Sequence, residues 1–376
     1  MNKELQLQLY NLKIPFRNSF SHTSATRSET QSVIIQVTDG MLSGFGEGCP
    51  REYVTGESLN SVILFFELVK DDLLKSVNSI KELNAFRLQN TEKIKANFAA
   101  WCSIELAFLD FFGRRQEKTL EELMNTEFGN QPTRYSAVIG DKSFEGFAKD
   151  VSSYKEYGFA DFKLKLSGDI EDDYKKLSHI KTSIPGSQVR VDANNLWHNS
   201  QDVIDFVNNS PIELSGIEEP LLSKNLDELI ELSKELKCKI VLDESFRTID
   251  DLSLIELHSE QFILNLRVSK QGGLLNSLEI AKACIAQKLE LSIGAQVGET
   301  AILTRASIAL ARCINNNVKT MEGAFGTLFL VEDLIKKSLQ FGKGGVLNLE
   351  DFVAIDDKGN QLEIEIQTLL KYSHGS

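Results

Sequence analysis

The sequence predicts a parallel β/α barrel preceded by a separate α+β region, and three observations indicate this. The chain has 376 residues, more than one ordinary small domain needs. From about residue 134, eight short β-rich runs alternate with amphipathic helical stretches. One polar residue near the end of nearly every run recurs at an almost constant step, as it would in a barrel of repeated strand–helix units.

The first 125 residues have the pattern of strands followed by helices. Strand patterns cover residues 3–12, 32–38 and 41–47. Helix-spaced apolar positions cover residues 57–75, 79–90 and 94–115. This order favours an α+β domain that spans residues 1–125. The mixed stretch 335–376 is predicted to pack back on it, which leaves residues 126–334 for the barrel.

The barrel strands are predicted at residues 135–139, 161–166, 188–193, 213–219, 239–244, 262–268, 289–295 and 318–323. The recurring polar residues are Lys165, Asp192, Glu218, Asp243, Lys270, Gln296 and Glu322, in steps of 27, 26, 25, 27, 26 and 26. In a β/α barrel the active site lies at the carboxyl ends of the strands. We therefore expect these side chains to meet at one mouth.

Three of these residues, Asp192, Glu218 and Asp243, are carboxylates on neighbouring predicted strands. Adjacent carboxylates repel one another unless one holds a proton or a cation lies between them. Ligands that are all oxygen favour a hard ion, so Mg²⁺ is the expected cofactor and Mn²⁺ a substitute. Zinc is disfavoured because no His or Cys occupies these positions.

Two lysines flank the three acids. Lys165 ends the second barrel strand and Lys270 the sixth, about half a turn apart in an eight-stranded barrel. A substrate carboxylate held on Mg²⁺ would form a stabilised enediolate when its α-proton leaves. One lysine would remove that proton and the opposite lysine would return one, which inverts the stereocentre.

Composition disfavours two classes of partner. The net charge of −13 disfavours nucleic acid and anionic membrane surfaces, whereas a small-molecule substrate is compatible with it. The five cysteines include no CxxC pair, and the first residues lack an apolar leader segment. We expect a cytoplasmic protein, and a homo-oligomer is left open.

The motifs together resemble those of the enolase superfamily, in the branch of muconate-lactonising enzymes, o-succinylbenzoate synthases and dipeptide epimerases. They are Lys163-Leu164-Lys165, Asp192-Ala193-Asn194, Glu218-Glu219-Pro220, Asp243-Glu244-Ser245 and Lys270-Gln271-Gly272-Gly273. The resemblance implies an α/β fold, a TIM-like (β/α)₇β barrel with a capping domain built from both chain ends.

The resemblance also implies roles for individual residues. It makes Asp192, Glu218 and Asp243 the Mg²⁺ ligands and Lys165 and Lys270 the acid–base pair. Asn194 and Glu244 would support the ligands. The residues assigned to substrate binding are Lys163, Ser136, Gln296 and Glu322. Capping-domain loops around residues 17–30 and 50–57 would close over the mouth.

Within this branch, the most similar activity is epimerisation of L,L-dipeptides at the α-carbon of the C-terminal residue. Dipeptide epimerases carry an Asp-x-Asp after strand eight that binds the substrate ammonium. This chain has Glu322-Gly323-Ala324, and Glu322 alone could still bind an amine. Residues 325–333 resemble the lactonising enzymes, so a muconate cycloisomerase, an o-succinylbenzoate synthase and an N-acylamino acid racemase stay open. A barrel that only binds a ligand would lack one of the two lysines.

The sequence of the capping loop indicates which substrate side chain is preferred. Relatives that take acidic dipeptides carry a basic residue where a gap-free alignment places Ala25. Phe16, Phe20 and Tyr53 lie in the expected specificity loops, which favours hydrophobic or aromatic dipeptides. Arg17 and Arg27 are near enough in sequence that a shift of two residues would reverse this inference.

Overall fold

The capping region begins with an antiparallel sheet and continues into helices. The computed structural model describes residues 4–22, 25–246, 248–315, 317–353 and 357–374. The strands of this region are β1 (Gln6–Leu12), β2 (Pro15–His22), β3 (Ala25–Glu29), β4 (Ser32–Thr38) and β5 (Ser43–Gly48). Its helices are α1 (Leu59–Ser76), α2 (Ile80–Gln89), α3 (Thr91–Lys95), α4 (Phe98–Gln116) and α5 (Leu120–Leu123).

Helix α4 is the centre of this region, because it is buried from Phe98 to Gly113 and lies directly on strand β5. Strand β5 has glycine at every second position, and Gly46 shows how close the two elements come. A Cβ atom at Gly46 would lie 2.1 Å from the carbonyl oxygen of Ser103 in α4. Gly44 and Gly48 face the same helix, so glycine at alternate positions gives the helix backbone access to the strand.

The barrel is a sheet of eight parallel strands, with β6 (Thr133–Arg134) before it. Its strands are β7 (Ala137–Ile139), β8 (Asp161–Lys165), β9 (Gln188–Asp192), β10 (Leu214–Glu218), β11 (Lys239–Leu242), β12 (Phe262–Leu266), β13 (Glu290–Ile293) and β14 (Thr320–Met321). The strands pair in chain order. A parallel bridge between Tyr135 and Met321 joins the beginning to the end and closes the ring.

The crossover helices are α6 (Phe144–Tyr157), α7 (Ile170–Ser183), α8 (Ser200–Asn208), α9 (Leu226–Ser233), α10 (Leu252–Ile255), α11 (Leu274–Ala286) and α12 (Ala301–Cys313). Helices α6 and α12 begin where Ser143 and Thr300 accept hydrogen bonds from backbone N–H groups of the first turn. A short 3₁₀ turn, Gly326–Leu328, follows β14. The predicted (β/α)₇β barrel with an α+β capping domain is confirmed.

The C-terminal segment contacts both regions. Strand β15 (Val346–Leu347) pairs with β6, which directly precedes the first barrel strand. Helix α13 (Ile366–Tyr372) leads to β16 (Ser373–His374), which pairs with β1 and completes the capping sheet in the order β16-β1-β4-β5. The predicted boundaries near residues 125 and 335 stay predictions. No helix in the described part of the chain combines the length and apolar character that a membrane crossing requires.

Two expectations about local structure need correction. Within the segment 17–30, expected as a loop, residues 17–22 and 25–29 lie in the paired strands β2 and β3. Backbone hydrogen bonds from Arg17 N to Phe329 O (2.8 Å) and from Val331 N to Pro15 O (3.0 Å) extend this hairpin across to the barrel. The sixth barrel strand, expected to reach residue 268, ends at Leu266 because the next residues turn, with Gly273 N donating to Val268 O. Lys270 therefore lies on a turn.

Candidate active site

Three buried carboxylates lie at the mouth of the barrel. Asp192 and Glu218 are the last residues of β9 and β10 and stand opposite each other in register, and Asp243 directly follows β11. Burial raises the pKa of Glu218, and the charges of Asp192 and Glu322 raise it further against the opposing effect of Lys163. The barrel thus gathers negative charge that is costly without cations.

Lys163 connects these acids. Its Nζ lies 3.2 Å from Asp192 Oδ2, 2.7 Å from Glu218 Oε1 and 3.2 Å from Glu322 Oε2. Burial alone would lower the pKa of Lys163, but these three carboxylates raise it above the ordinary value. With its pKa raised in this way, Lys163 is suited to holding a carboxylate rather than to accepting a proton.

Lys165 lies two residues further along β8 and points to the same side of the strand as Lys163. Its Nζ is 3.2 Å from Asp192 Oδ2 and 3.3 Å from Asn194 Oδ1. The side chain is 13% exposed, compared with 3% for Lys163, and it lines the cavity at the barrel mouth. Lys165 is thus the more accessible of the two amines.

Lys270 approaches the acids from the opposite part of the ring. Its Nζ donates to Asp243 Oδ1 (2.8 Å) and to the backbone oxygens of Asp243 (2.6 Å), Asn265 (2.9 Å) and Phe246 (3.3 Å). Burial, with a further contribution from the positive charge of Arg267, lowers the pKa of Lys270 to about 7. An amine with such a pKa exchanges protons near neutral pH.

Arg267 is a site residue that the sequence reasoning missed. Its guanidinium contacts Asp243 Oδ2 and donates from Nη1 to Gln296 Oε1 at 3.2 Å. The signal was present, since Arg267 directly follows β12, whose five residues are all buried. The same kind of signal, a charge in an apolar strand context, singled out Lys165.

Glu219 is a second missed residue, and it organises the turn after β11. Its Oε1 accepts from the backbone N–H groups of Asp243 (2.6 Å) and Ser245 (2.8 Å). Between those two residues stands Glu244, which lines the cavity. Burial, with the negative charges of Glu219 and Asp192 next in effect, raises the pKa of Glu244 to about 7. Because Glu219 accepts from the backbone N–H of Asp243, it fixes the direction in which the Asp243 side chain points.

The donor chemistry of the three acids fits a hard divalent cation, because all ligands are carboxylate oxygens. Among the described residues, no group of three or more His, Cys, Asp or Glu side chains is positioned to hold a metal ion as it stands. Lys163 lies against Asp192 and Glu218, and Arg267 lies against Asp243, so cationic side chains supply the counter-charge. A cation bound by the acids would take over that role from Lys163 and Arg267.

A cavity of about 590 Å³ opens above the acids. The predicted site residues that line it are Lys163, Lys165, Asp192, Asn194, Glu244, Gln296 and Glu322. Glu218, Asp243 and Lys270 are buried and adjoin this lining through their contacts with it. Ser136 is not brought to the cavity: it is 2% exposed, and its Oγ accepts from Arg190 at 3.1 Å. Its assignment to substrate binding stays a prediction.

Glu322 lies in the cavity wall with both carboxylate oxygens engaged. Oε2 is 3.2 Å from Lys163 Nζ, and Oε1 is 3.4 Å from a guanidinium nitrogen of Arg190. Burial would raise the pKa of Glu322, but Lys163 and Arg190 hold it below the ordinary value. An incoming amine would therefore compete with two cations for this carboxylate.

The capping region covers one side of the cavity. The rings of Phe16 and Phe329 lie 4.3 Å apart, and Tyr53 lines the cavity. The guanidinium of Arg17 donates to Thr327 O at 2.7 Å, and that of Arg27 lies 6.0 Å from the Tyr53 ring centroid. The side chains of Phe20 and Ala25 lie outside what the structure describes, so the inference drawn from them stays a prediction.

A family model described as enolase C-terminal domain-like matches residues 146–351, more than half of the chain. The chain belongs to the enolase superfamily. The predicted branch is confirmed as well, and the expectation that the chain is an enzyme of the racemase and epimerase type holds at the level of the family. The site described above is thus that of an enolase-superfamily member.

Three relatives span most of this enolase-superfamily chain. An N-succinyl-L-Arg/Lys racemase of Bacillus cereus is 22% identical over 81% of this chain and 83% of its own. A hydrophobic dipeptide epimerase of Enterococcus faecalis is 24% identical over 84% and 88%. An o-succinylbenzoate synthase of Listeria innocua is 24% identical over 96% and 93%.

Solved structures of two such proteins have the same fold. The Bacillus cereus racemase superposes with a TM-score of 0.83 at 20% identity, covering 100% of this chain and 99% of its own. An Enterococcus faecalis dipeptide epimerase, in complex with Mg and L-Leu-L-Tyr, superposes with a TM-score of 0.80 at 21% identity, covering 96% and 99%. At these identities the likeness establishes the fold.

Proposed function

We propose that this chain is a Mg²⁺-dependent epimerase that inverts the α-carbon of the C-terminal residue of L,L-dipeptides. One observation carries the proposal: Lys165 lies against Asp192 on one side of the buried acids, and Lys270 lies against Asp243 on the other. Two amines on opposite sides of one carboxylate-binding centre are what a two-base inversion requires. A single-base elimination would need only one of them.

Each residue then has a defined task. Asp192, Glu218 and Asp243 would hold Mg²⁺, or Mn²⁺ as a substitute. The bound cation supplies neutralisation of the negative charge that develops on a substrate carboxylate. Lys165 and Lys270 exchange the α-proton on opposite faces, and Lys163 remains charged beside the carboxylate.

The cavity wall supports a hydrophobic or aromatic dipeptide. Tyr53, Phe329 and Leu330 line the side nearest the capping region. The guanidinium of Arg17 donates to backbone carbonyl oxygens, and Arg17 does not line the cavity, so it is not placed to pair with an acidic side chain bound there. The Enterococcus faecalis relative, a hydrophobic dipeptide epimerase, agrees with this preference.

A second candidate is racemisation of N-acylamino acids, and the contacts of Glu322 favour it. Both of its oxygens are in ion pairs with Lys163 and Arg190, whereas an N-acylamino acid has no free ammonium to be bound. The Bacillus cereus relative is named for an N-succinyl substrate. Cycloisomerisation and o-succinylbenzoate synthesis are the remaining alternatives of the branch.

The test is exchange of the α-proton in D₂O, followed by NMR with and without Mg²⁺. The substrates are L-Leu-L-Tyr, L-Ala-L-Tyr, L-Ala-L-Glu and N-succinyl-L-phenylalanine. We expect Mg²⁺-dependent exchange with inversion, fastest on the two tyrosine dipeptides. Faster turnover of the N-succinyl substrate would replace the first candidate by the second. No exchange on any of the four would overturn both.

A further inference from the structure

Gln296 follows strand β13 and lies in the cavity wall, 2% exposed. Its Oε1 accepts a hydrogen bond of 3.2 Å from Nη1 of Arg267. A guanidinium can only donate, so the contact requires the amide oxygen of Gln296 to face Arg267. The Nε2 group must then point away from Arg267. The orientation of the amide is therefore set by chemistry.

The backbone at Gln296 is held in place independently. Its N–H donates to Glu299 Oε2 at 3.0 Å, and Glu299 N donates back to Gln296 O at 3.1 Å. Gly298 within this turn lies beneath Phe16 of the capping hairpin, where a Cβ atom would be 2.6 Å from Phe16 Cζ. The side chain thus projects from a rigid turn.

The Nε2 group of Gln296 has no hydrogen-bond partner within the described ranges, although it is buried. The Nε of Arg267 beside it is also buried and without one. Buried donors in proteins are nearly always satisfied by protein, water or ligand. The Gln296 donor lies in the cavity wall, which indicates that a ligand oxygen completes it, whereas Arg267 acts on this donor through the Gln296 Oε1 contact.

We propose that Gln296 donates to the acyl carbonyl oxygen of the substrate, the carbonyl bonded to the nitrogen on the reacting α-carbon. Arg267 is a positioning residue that presents the amide N–H toward that oxygen. The inference rests on the proposed function and holds for both of its candidates, because a dipeptide and an N-acylamino acid share this carbonyl. Selection of acylated over free amino acids follows from it.

The experiment measures calorimetric affinity, with Mg²⁺ present, for two probes that differ in the acyl group. N-acetyl-L-phenylalanine carries the carbonyl, and 3-phenylpropanoate lacks the whole acylamino group. We expect Gln296→Leu to weaken the first by about tenfold or more and the second by less than twofold. Gln296→Glu, which turns an acceptor toward the cavity and keeps the shape, should weaken the first at least as much. Gln188→Leu, at the exposed first residue of β9 and outside the cavity lining, is the matched control and should leave both affinities unchanged.

The role of Arg267 is tested by the ratio of the affinities for the two probes. Both probes carry a carboxylate, so a change at the three acids affects both affinities alike and cancels in the ratio. Arg267→Met should lose the preference for the acylated probe, and Arg267→Lys should restore part of it. Unchanged affinity for N-acetyl-L-phenylalanine in both Gln296 variants would overturn this inference and leave the proposed function standing. Absence of α-proton exchange in the wild type on every acylated substrate would remove both.

Discussion

At the scale of single residues, the two lysines have different surroundings. Lys165 is partly exposed and contacts Asp192 and Asn194, whereas Lys270 is 1% exposed with four oxygen acceptors around its Nζ. Both are required if inversion needs an amine on each side. Variants that lack one lysine or the other should therefore both lose inversion, and each should keep proton exchange for the opposite configuration of the α-carbon.

Replacing Lys165 or Lys270 by Ala should lower inversion by about 10³-fold, because each removes one of the two proton-transfer groups. Each variant should retain exchange from only one of the two enantiomeric configurations at the α-carbon. NMR of both diastereomers of one dipeptide in D₂O measures this. Lys142→Ala, a cavity lysine paired with Asp150, is the control and should keep wild-type activity. Wild-type inversion by either active-site variant would refute the two-base assignment.

Asp243 is held by three other residues, since Lys270, Arg267 and Glu219 all contact it. Asp243→Asn should weaken Mg²⁺ binding by at least about tenfold, because it removes one anionic ligand. Titration calorimetry with Mg²⁺ alone measures the change. Asp141→Asn, at the cavity rim, should leave the affinity unaltered. Equal affinities of wild type and Asp243→Asn would remove Asp243 from the ligand set.

At the scale of elements, the β2–β3 hairpin is joined to the segment that follows β14. Phe16 forms a bridge with Leu330, and Arg17 donates to backbone oxygens of that segment. Phe16 also covers Gly298 in the turn that carries Gln296. The hairpin therefore orders two barrel loops that line the cavity.

Gly298→Ala tests this contact. Gly298 has φ +85°, so any L side chain is strained there, and the added Cβ would also meet Phe16 at 2.6 Å. Gly186→Ala is the matched control, with φ +82° and nothing within 4 Å of the added atom. We expect Gly298→Ala to lower the free energy of unfolding by about 1–3 kcal/mol more than Gly186→Ala.

Urea unfolding of both variants measures that difference, and substrate affinity should fall only in Gly298→Ala. Equal losses of stability in the two variants would show that backbone strain alone acts at Gly298. The contact between Phe16 of the hairpin and Gly298 would then not constrain the turn that carries Gln296.

At the scale of the whole molecule, buried glutamates of the capping region dock on the first turns of barrel helices. Glu47 accepts from Thr300 N (3.0 Å) and Leu303 N (3.2 Å) at the start of α12. Glu105 accepts from Leu275 N (2.9 Å) at the start of α11. Free N–H groups and the helix dipole make these ends favourable for a carboxyl group. The two regions are thus held together by polar contacts as well as by apolar packing.

Burial raises the pKa of Glu105 to about 7, which outweighs the hydrogen bond from Leu275. The folded state therefore keeps a proton that the unfolded chain releases near pH 4.5, so stability falls as pH rises from about 4.5 to about 7. Glu105→Gln should remove this dependence. Relative to the variant, the wild type should lose on the order of 3 kcal/mol between pH 5 and pH 8.

Urea unfolding at the two pH values measures this double difference. The control is Glu121→Gln, at a buried carboxyl whose pKa burial would raise but which Arg305 holds below the ordinary value. A lowered pKa adds stability that is already complete above about pH 4.5. The Glu121 difference should therefore be constant from pH 5 to pH 8. A constant difference for Glu105 as well would contradict the predicted titration.

The sequence alone was sufficient for the barrel and for the approximate place of most mouth residues. Strand periodicity and the step of 25 to 27 residues predicted which side chains approach the mouth, because parallel strands bring their carboxyl ends to one edge. Asp192 and Glu218 end their strands as expected, and Asp243 directly follows its strand. These features depend on local pattern, which a single chain displays directly.

Only the tertiary structure decided how the side chains are paired. The ion pairs of Glu322 join it to Lys163 and Arg190, more than 130 residues away, and the orientation of Gln296 depends on Arg267. The β2–β3 hairpin likewise pairs with residues 329–331, which lie about 300 positions further along the chain. Local propensity carries no information about such distant contacts. The order of the strands could be predicted because it follows from local pattern. The charge pairing could not, because the geometry of these contacts is set only when the barrel closes.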